Sequence, residues 1–268
     1  MIQIKTVDEI ALMREAGLVV ARALARMRDA VAAGVSTGDL DAIAEQSIRG
    51  DGAVPSFKGY RGFPATICAS INAEVVHGIP SRRRKLRDGD IISIDCGAIV
   101  DGWHGDSAIT VPVGEVRPDL TELMRVTEAS MWAGFSAALA GGRLTDISAA
   151  VERSVRAAGS YGIVDHYGGH GIGTEMHQEP HVLNYGRPGR GPKLVPGLAL
   201  AIEPMVTLGE PGTREMDDGW TVVTVDGSYA AHFEHTVAIT EDGPWVLTAE
   251  DGGAAKLAEY GIKVAARA

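Results

Sequence analysis

The chain has 268 residues, with 25 Lys and Arg against 35 Asp and Glu, for a formal net charge of −10. This acidic balance speaks against non-specific nucleic-acid binding, which needs a basic face. No run of about 18 apolar residues marks a membrane span, and the charged start of the chain lacks the apolar centre of an export signal, so the expected compartment is the cytoplasm. Hydrophobic residues make up 45% but aromatics only 5%, so the core has to rest on Ala, Val, Ile and Leu. Two cysteines, Cys68 and Cys96, are too few for a disulfide framework or a thiolate zinc site. Any metal must therefore be held by carboxylates and histidines.

In chain order, the first predicted element is a long helix. Ile10, Met13, Gly17, Val20, Leu24, Met27 and Val31 recur at steps of three and four and form one apolar stripe. Thr6 and Glu9 fit a capping box ahead of it, and Gly34 is the expected stop. A second helix is predicted from Thr37 to about Arg49. The period then changes: residues 65–76, 91–99 and 104–113 read as strands, the last two joined by an Asp101-Gly102 hairpin turn. The pattern repeats from Pro118, with Leu120, Leu123, Thr127, Met131 and Phe135 at helical spacing. Gly141-Gly142 should end this helix, and Thr145 should cap the next, which runs to about Ala158. Strand-like runs follow at 198–206, 220–225 and 232–239. Helix, helix, strands thus occurs twice, which predicts an α/β (α+β) domain with a mainly antiparallel sheet covered by helices. With no long linker, we expect a single domain, 1–268, with halves of about 1–113 and 114–250.

Four carboxylates intrude into apolar strands. Asp95 lies in the 91–99 strand and Asp106 on the return strand. A two-residue turn at Asp101-Gly102 pairs Asp95 with Ala108 and makes Asp106 its diagonal neighbour on the same face, roughly 7–8 Å away at Cα. Two such carboxylates repel each other and lose hydration, and a divalent cation relieves both costs. A single Asp is equally well explained as a turn cap. Glu203 and Glu234 interrupt two further strands, and Glu is a weak strand former. Oxygen donors of this kind suit hard or borderline divalent ions. Glycines flank His170, allowing close backbone approach and unusual dihedrals. His177 follows seven residues later, too far for two ligands on one helix turn. One of the two suits a ligand and the other a hydrogen-bond donor or proton shuttle. His77 ends an apolar run and is explained either as a packed histidine or as a member of the same site.

Asp95, Asp106, His170, Glu203 and Glu234, in this order and spacing, resemble the two-metal site of the methionine aminopeptidases. Residues 68–72, 77–80, 105–107, 167–185, 203–204 and 233–236 resemble the type I, bacterial-style members, and the likeness runs from about residue 4 to about 250. It implies the pita-bread fold, with two pseudo-symmetric halves, and a hydrolase that removes the initiator methionine from nascent proteins with a small second residue. It further implies that Asp95 chelates one ion, that His170 and Glu203 hold the other, and that Asp106 and Glu234 bridge both. Glu203 would also accept a proton from the attacking water. His177 would contact the substrate carbonyl, and His77 the scissile-bond nitrogen. Tyr60, Phe63, Cys68, Met176 and Trp220 match the methionine pocket. Phe63 and Met176 depart from the family's common Tyr and Phe while staying apolar. The two ions are expected among Co, Mn, Fe, Zn and Ni. Cys96, on the opposite side of its strand, should be a packing residue.

The basic run Arg82, Arg83, Arg84 and Lys85, followed by Arg87, reads either as a solvated turn or as a ribosomal RNA contact. The alternatives to the leading reading are an Xaa-Pro peptidase of the same fold, a metal-free peptide-binding relative and a two-metal phosphoesterase. The last would be expected to show Lys or Arg beside the ligands, and none flanks them. The expected state is a monomer.

Overall fold

The computed structural model describes residues 2–262 and 264. Helix α1 spans Val7–Ala30, with Thr6 as N-cap and the Thr6–Glu9 capping box formed in both directions. It ends at a Val31 cap, ahead of Gly34. Helix α2, Thr37–Gly50, has a second such box between Ser36 and Asp39. Helix α3 spans Pro118–Ser136, with proline in its first turn, and α4 spans Leu144–Ala158. Thr145 does not cap α4. The Asp146 carboxylate accepts from the Arg143 backbone N–H instead, and the Thr145 hydroxyl clasps the backbone of Arg190.

The predicted strand 65–76 is two strands, Ile67–Ile71 and Glu74–Val76. Asn72 turns the chain between them at φ 58°, where its amide bonds Asp90 and the Ile91 N–H. Strands Ile91–Val100 and Trp103–Pro112 pair in register from Ile91 opposite Pro112 to Val100 opposite Trp103. Asp101 and Gly102 form the two-residue turn at φ 47° and 83°, as a type I′ hairpin requires. The 198–206 run breaks at Glu203-Pro204 into Ala199–Ile202 and Met205–Thr207. The 232–239 run breaks at Phe233 into Ala230–His232 and Glu234–Thr240.

Nine strands form the main sheet and two three-stranded sheets flank it, and every pairing among the described residues is antiparallel. Each helix pair packs against its own stretch of sheet. Ile92, Ile94, Cys96 and Ala98 pack with Val20, Leu24 and Met27 of α1 and with Leu40 of α2. Cys96 is thus a packing residue on the helix-facing side. In the second half Leu200, Ile202, Val237 and Ile239 pack with Leu123, Met131 and Phe135 of α3 and Ile147 of α4. Gly17 belongs to the α1 stripe for a steric reason: a Cβ there would stand 2.3 Å from the Leu247 carbonyl oxygen.

Candidate metal centre and its cavity

Strand order places the predicted ligands side by side. Strands Ile91–Val100, Trp103–Pro112, Glu234–Thr240, Ala199–Ile202 and Gly169–Gly171 are consecutive neighbours in the sheet. Asp95 lies opposite Ala108, and Ala108 lies opposite Glu234. Asp106 is two residues before Ala108 and shares its face. On the far side His170 lies opposite Ala201, two residues before Glu203. Four side chains from four strands, and Glu203 from just past the end of a fifth, therefore converge, with the small Ala108 side chain between Asp95 and Glu234. The glycines around His170 serve close approach. A Cβ at Gly169 would stand 2.1 Å from the Ala201 carbonyl oxygen, and one at Gly171 would stand 2.2 Å from that of Glu179. Neither has a positive φ, so unusual dihedrals are not their role.

The electrostatics of this row are unfavourable for carboxylates alone. Asp106 and Glu234 are 3% and 1% exposed. Burial pushes both carboxyls well above their usual range, and their acidic neighbours add to it. Burial likewise raises Asp95 to about 7, with Glu203 adding and His232 opposing, and raises Glu203 to about 7 against the pull of His170. The His170 Nε2 lies 3.8 Å from Asp106 Oδ2 and 3.5 Å from Glu203 Oε1. Its Nδ1 is 3.0 Å from the Gly171 carbonyl oxygen, which only accepts, so Nδ1 carries the hydrogen. Burial lowers the His170 pKa to about 4, so the ring is neutral and its Nε2 lone pair faces the cluster.

These residues fit a divalent cation. Asp95 Oδ1, Asp106 Oδ1 and Glu234 Oε1 are buried and have no hydrogen-bond partner among the described residues. Asp106, His170 and Glu234 each offer a ligand atom within 4.8 Å of the others. A cation replaces the hydration that these oxygens have lost, and a mixed oxygen and imidazole donor set suits borderline divalent ions.

The apolar residues assemble next to this cluster. Phe63, Cys68 and Met176 pack with Phe57 and Ala65, and Tyr60 and Trp220 close the group. Phe63 meets Trp220 edge-on at 5.0 Å. His77 follows its strand directly, at φ 61°, a strained value for a residue with a side chain. Its ring stands edge-on to Tyr167 and Trp220, at 5.8 and 6.3 Å. His177 is open to the cleft, with its ring 4.3 Å from that of His170 and its Nδ1 2.9 Å from the Tyr60 hydroxyl. The packed protein around His177, with Arg61 nearby, lowers its pKa. The twelve residues expected at the metal centre, the scissile bond and the methionine pocket all line one cavity of about 270 Å³.

Four further residues fall outside the sequence-based expectation. Val76 lines the cavity from the strand before His77. Phe57 and Arg61 line it as well, and Arg61 lies over the Tyr60 ring at φ 49°. Nothing in the local pattern of either distinguishes it from a loop residue. His232 is 1% exposed, with its Nε2 3.5 Å from Glu203 Oε2. It stands two residues before Glu234 in an apolar run, a local pattern that does not distinguish it from a packed histidine.

A curled antiparallel sheet carrying a buried carboxylate and histidine centre defines a metallopeptidase scaffold. The family model described as metallopeptidase family M24 matches residues 11–241, and the chain belongs to that family. It is similar to a methionine aminopeptidase of Clostridium acetobutylicum, 54% identical over 248 residues, covering 92% of this chain and 99% of that one. The solved structure of a methionine aminopeptidase from Thermotoga maritima superposes with a TM-score of 0.91 at 42% identity, covering 93% of this chain and 100% of that one. A prolidase from Pyrococcus furiosus shares the fold at a TM-score of 0.72 and 23% identity, covering 92% of this chain and 65% of that one. The fold is the expected pita-bread fold.

Proposed function

We infer that this chain is a metal-dependent exopeptidase that removes the N-terminal methionine from polypeptides. One observation carries the reading: a cavity with carboxylates and imidazoles at one end and a soft apolar pocket at the other. The apolar end suits an unbranched thioether, since Cys68, Met176, Phe63 and Trp220 offer adaptable sulfur and aromatic contacts. Phe63 and Met176 retain this character despite departing from the common residues.

We assign Asp95, Asp106, His170, Glu203 and Glu234 as the residues that would hold two divalent ions, Asp106 and Glu234 contributing to both. When bound, such ions polarise the scissile carbonyl and acidify a water. Glu203 accepts a proton from the attacking water and returns it to the leaving amine. We assign the Tyr60 hydroxyl, 2.9 Å from His177 Nδ1, as the donor of that bond, which leaves the hydrogen on Nε2. His177 Nε2–H then donates to the carbonyl oxygen as negative charge builds on it. His77, held between Tyr167 and Trp220, contacts the scissile-bond nitrogen. The substrates are nascent chains with a small second residue, met by a cytoplasmic monomer. Which of Co, Mn, Fe, Zn and Ni is used follows availability more than ligand type.

The test is turnover of Met-Ala-Ser and of an Xaa-Pro peptide by the metal-reconstituted protein, with Glu203→Ala as control. Cleavage of the first and a loss of about 10²–10⁴-fold in the control are expected. Preference for the Xaa-Pro peptide, or an equally active control, overturns the reading.

We also propose that the basic run meets ribosomal RNA. Arg84 is already engaged with Glu74 at 2.7 Å, and Arg82 lies 3.8 Å from Asp39. Arg83, Lys85 and Arg87 are exposed around a cleft. Charge reversal of Arg83 and Lys85 should abolish ribosome co-sedimentation, and unchanged co-sedimentation refutes the contact.

A further inference from the structure

We propose that His232 is a sixth donor of the metal centre, supplying a second imidazole nitrogen to the ion side that it shares with Glu203 and Glu234. The proposal rests on the metal-centre reading above and extends its ligand set. Three observations carry it. First, Glu203 sits between two imidazoles, with Oε1 3.5 Å from His170 Nε2 and Oε2 3.5 Å from His232 Nε2. Atoms held about 2.0–2.2 Å from one ion stand roughly 3–3.5 Å apart. The His232 spacing therefore matches that of His170, and it is long for a direct hydrogen bond. Second, His232 Nε2 is buried and has no hydrogen-bond partner among the described residues, and the same holds for Glu234 Oε1 beside it. Third, Glu203, His232 and Glu234 offer ligand atoms all within 4.8 Å of one another, a second triad that shares Glu234 with Asp106 and His170.

The backbone holds His232 in this place. Thr110 Oγ1 accepts from the His232 N–H at 2.9 Å and donates to its carbonyl at 2.7 Å. Ser93 bonds the same threonine hydroxyl at 2.8 Å. His232 also pairs in register with Met205, just past the Glu203-Pro204 break, and the paired chain breaks opposite at Phe233. The two breaks place His232 and Glu203 at one seam between sheets.

The experiment compares native protein, His232→Gln and His170→Gln, each titrated with Co²⁺ by calorimetry and read by the shifted imidazole N–H resonances of the Co²⁺-loaded form. Glutamine keeps a hydrogen-bond donor but removes the ring. We expect His232→Gln to bind one of two Co²⁺ equivalents at least about 10-fold more weakly and to lose one shifted imidazole resonance, different from the one lost in His170→Gln. Unchanged affinities and an unchanged resonance count in His232→Gln overturn the proposal and leave His232 as a hydrogen-bond partner of Glu203. If His232→Gln fails to fold, His232→Asn makes the same comparison with less side-chain volume. Failure of native protein to bind Co²⁺, or of His170→Gln to change anything, sinks the metal-centre reading itself.

Discussion

The two faces of strand Ile91–Val100 are built on opposite physics. On one face Ile92, Ile94, Cys96 and Ala98 are buried against α1 and α2, and each large side chain contributes roughly 1.5–3 kcal/mol through its burial. On the other, Asp95 joins Asp106, Glu234 and Glu203, and burial there raises every carboxyl pKa. The same backbone thus carries a stabilising face and a costly one, a residue apart. The helix-facing side holds the strand in place so that the other side can keep charges together that would otherwise separate or stay protonated.

Substitutions on the two faces should part accordingly. Asp106→Ala should have the largest effect: loss of both tight metal equivalents and at least about 10²-fold of activity, because on the proposed assignment this side chain would serve both ions. Stripped of metal, the variant should melt no lower than stripped native protein, since a buried carboxyl is gone. Metal analysis showing two retained equivalents would break the contrast. Ile94→Ala should do the reverse, costing about 2–5 kcal/mol of stability while the folded fraction keeps its metal affinity; denaturant melts and Co²⁺ titration read both. Met176→Ala, at the apolar end of the cavity, should lower kcat/KM for Met-Ala-Ser about 10-fold or more with metal content unchanged.

The remaining contrast is in pH dependence. Free Asp and Glu titrate near ~4, whereas folded Asp95 and Glu203 titrate at about 7 in metal-free protein. Between these values the folded state keeps protons that the unfolded chain has released. Stability of the stripped protein should therefore fall as pH rises from 4 through 7. Metal loading displaces those protons and should flatten the curve. A stripped protein whose Tm climbs over this window would contradict the burial of the two groups.

The legible parts of the fold share one property: short-range periodicity. The α1 stripe, the Thr6–Glu9 box and the Asp101-Gly102 hairpin are set by residues within a few positions of one another, and the hairpin register followed, placing Asp95 opposite Ala108. The misreadings come from longer range. Thr145 resembles a cap, but its hydroxyl is taken by Arg190, 45 residues away. The runs at 198–206 and 232–239 look continuous because their breaks at Glu203-Pro204 and Phe233 are imposed by a seam between sheets. His232 is hidden in the sequence for the same reason. Its place beside Glu203 depends on that seam, and apolar neighbours alone do not reveal it.

By itself the sequence determined which residues are chemically out of place: four carboxylates and a glycine-flanked histidine in apolar strands. The cost of burying charge is local, so it is readable residue by residue. Only the tertiary structure decided that Glu234, Glu203 and His170 extend the Asp95–Asp106 hairpin pair into one row, that the pocket of Phe63, Cys68 and Met176 opens onto it, and that His232 stands at its edge. Those adjacencies come from the order of strands in a sheet, which joins residues far apart in the chain, and no local spacing records that order.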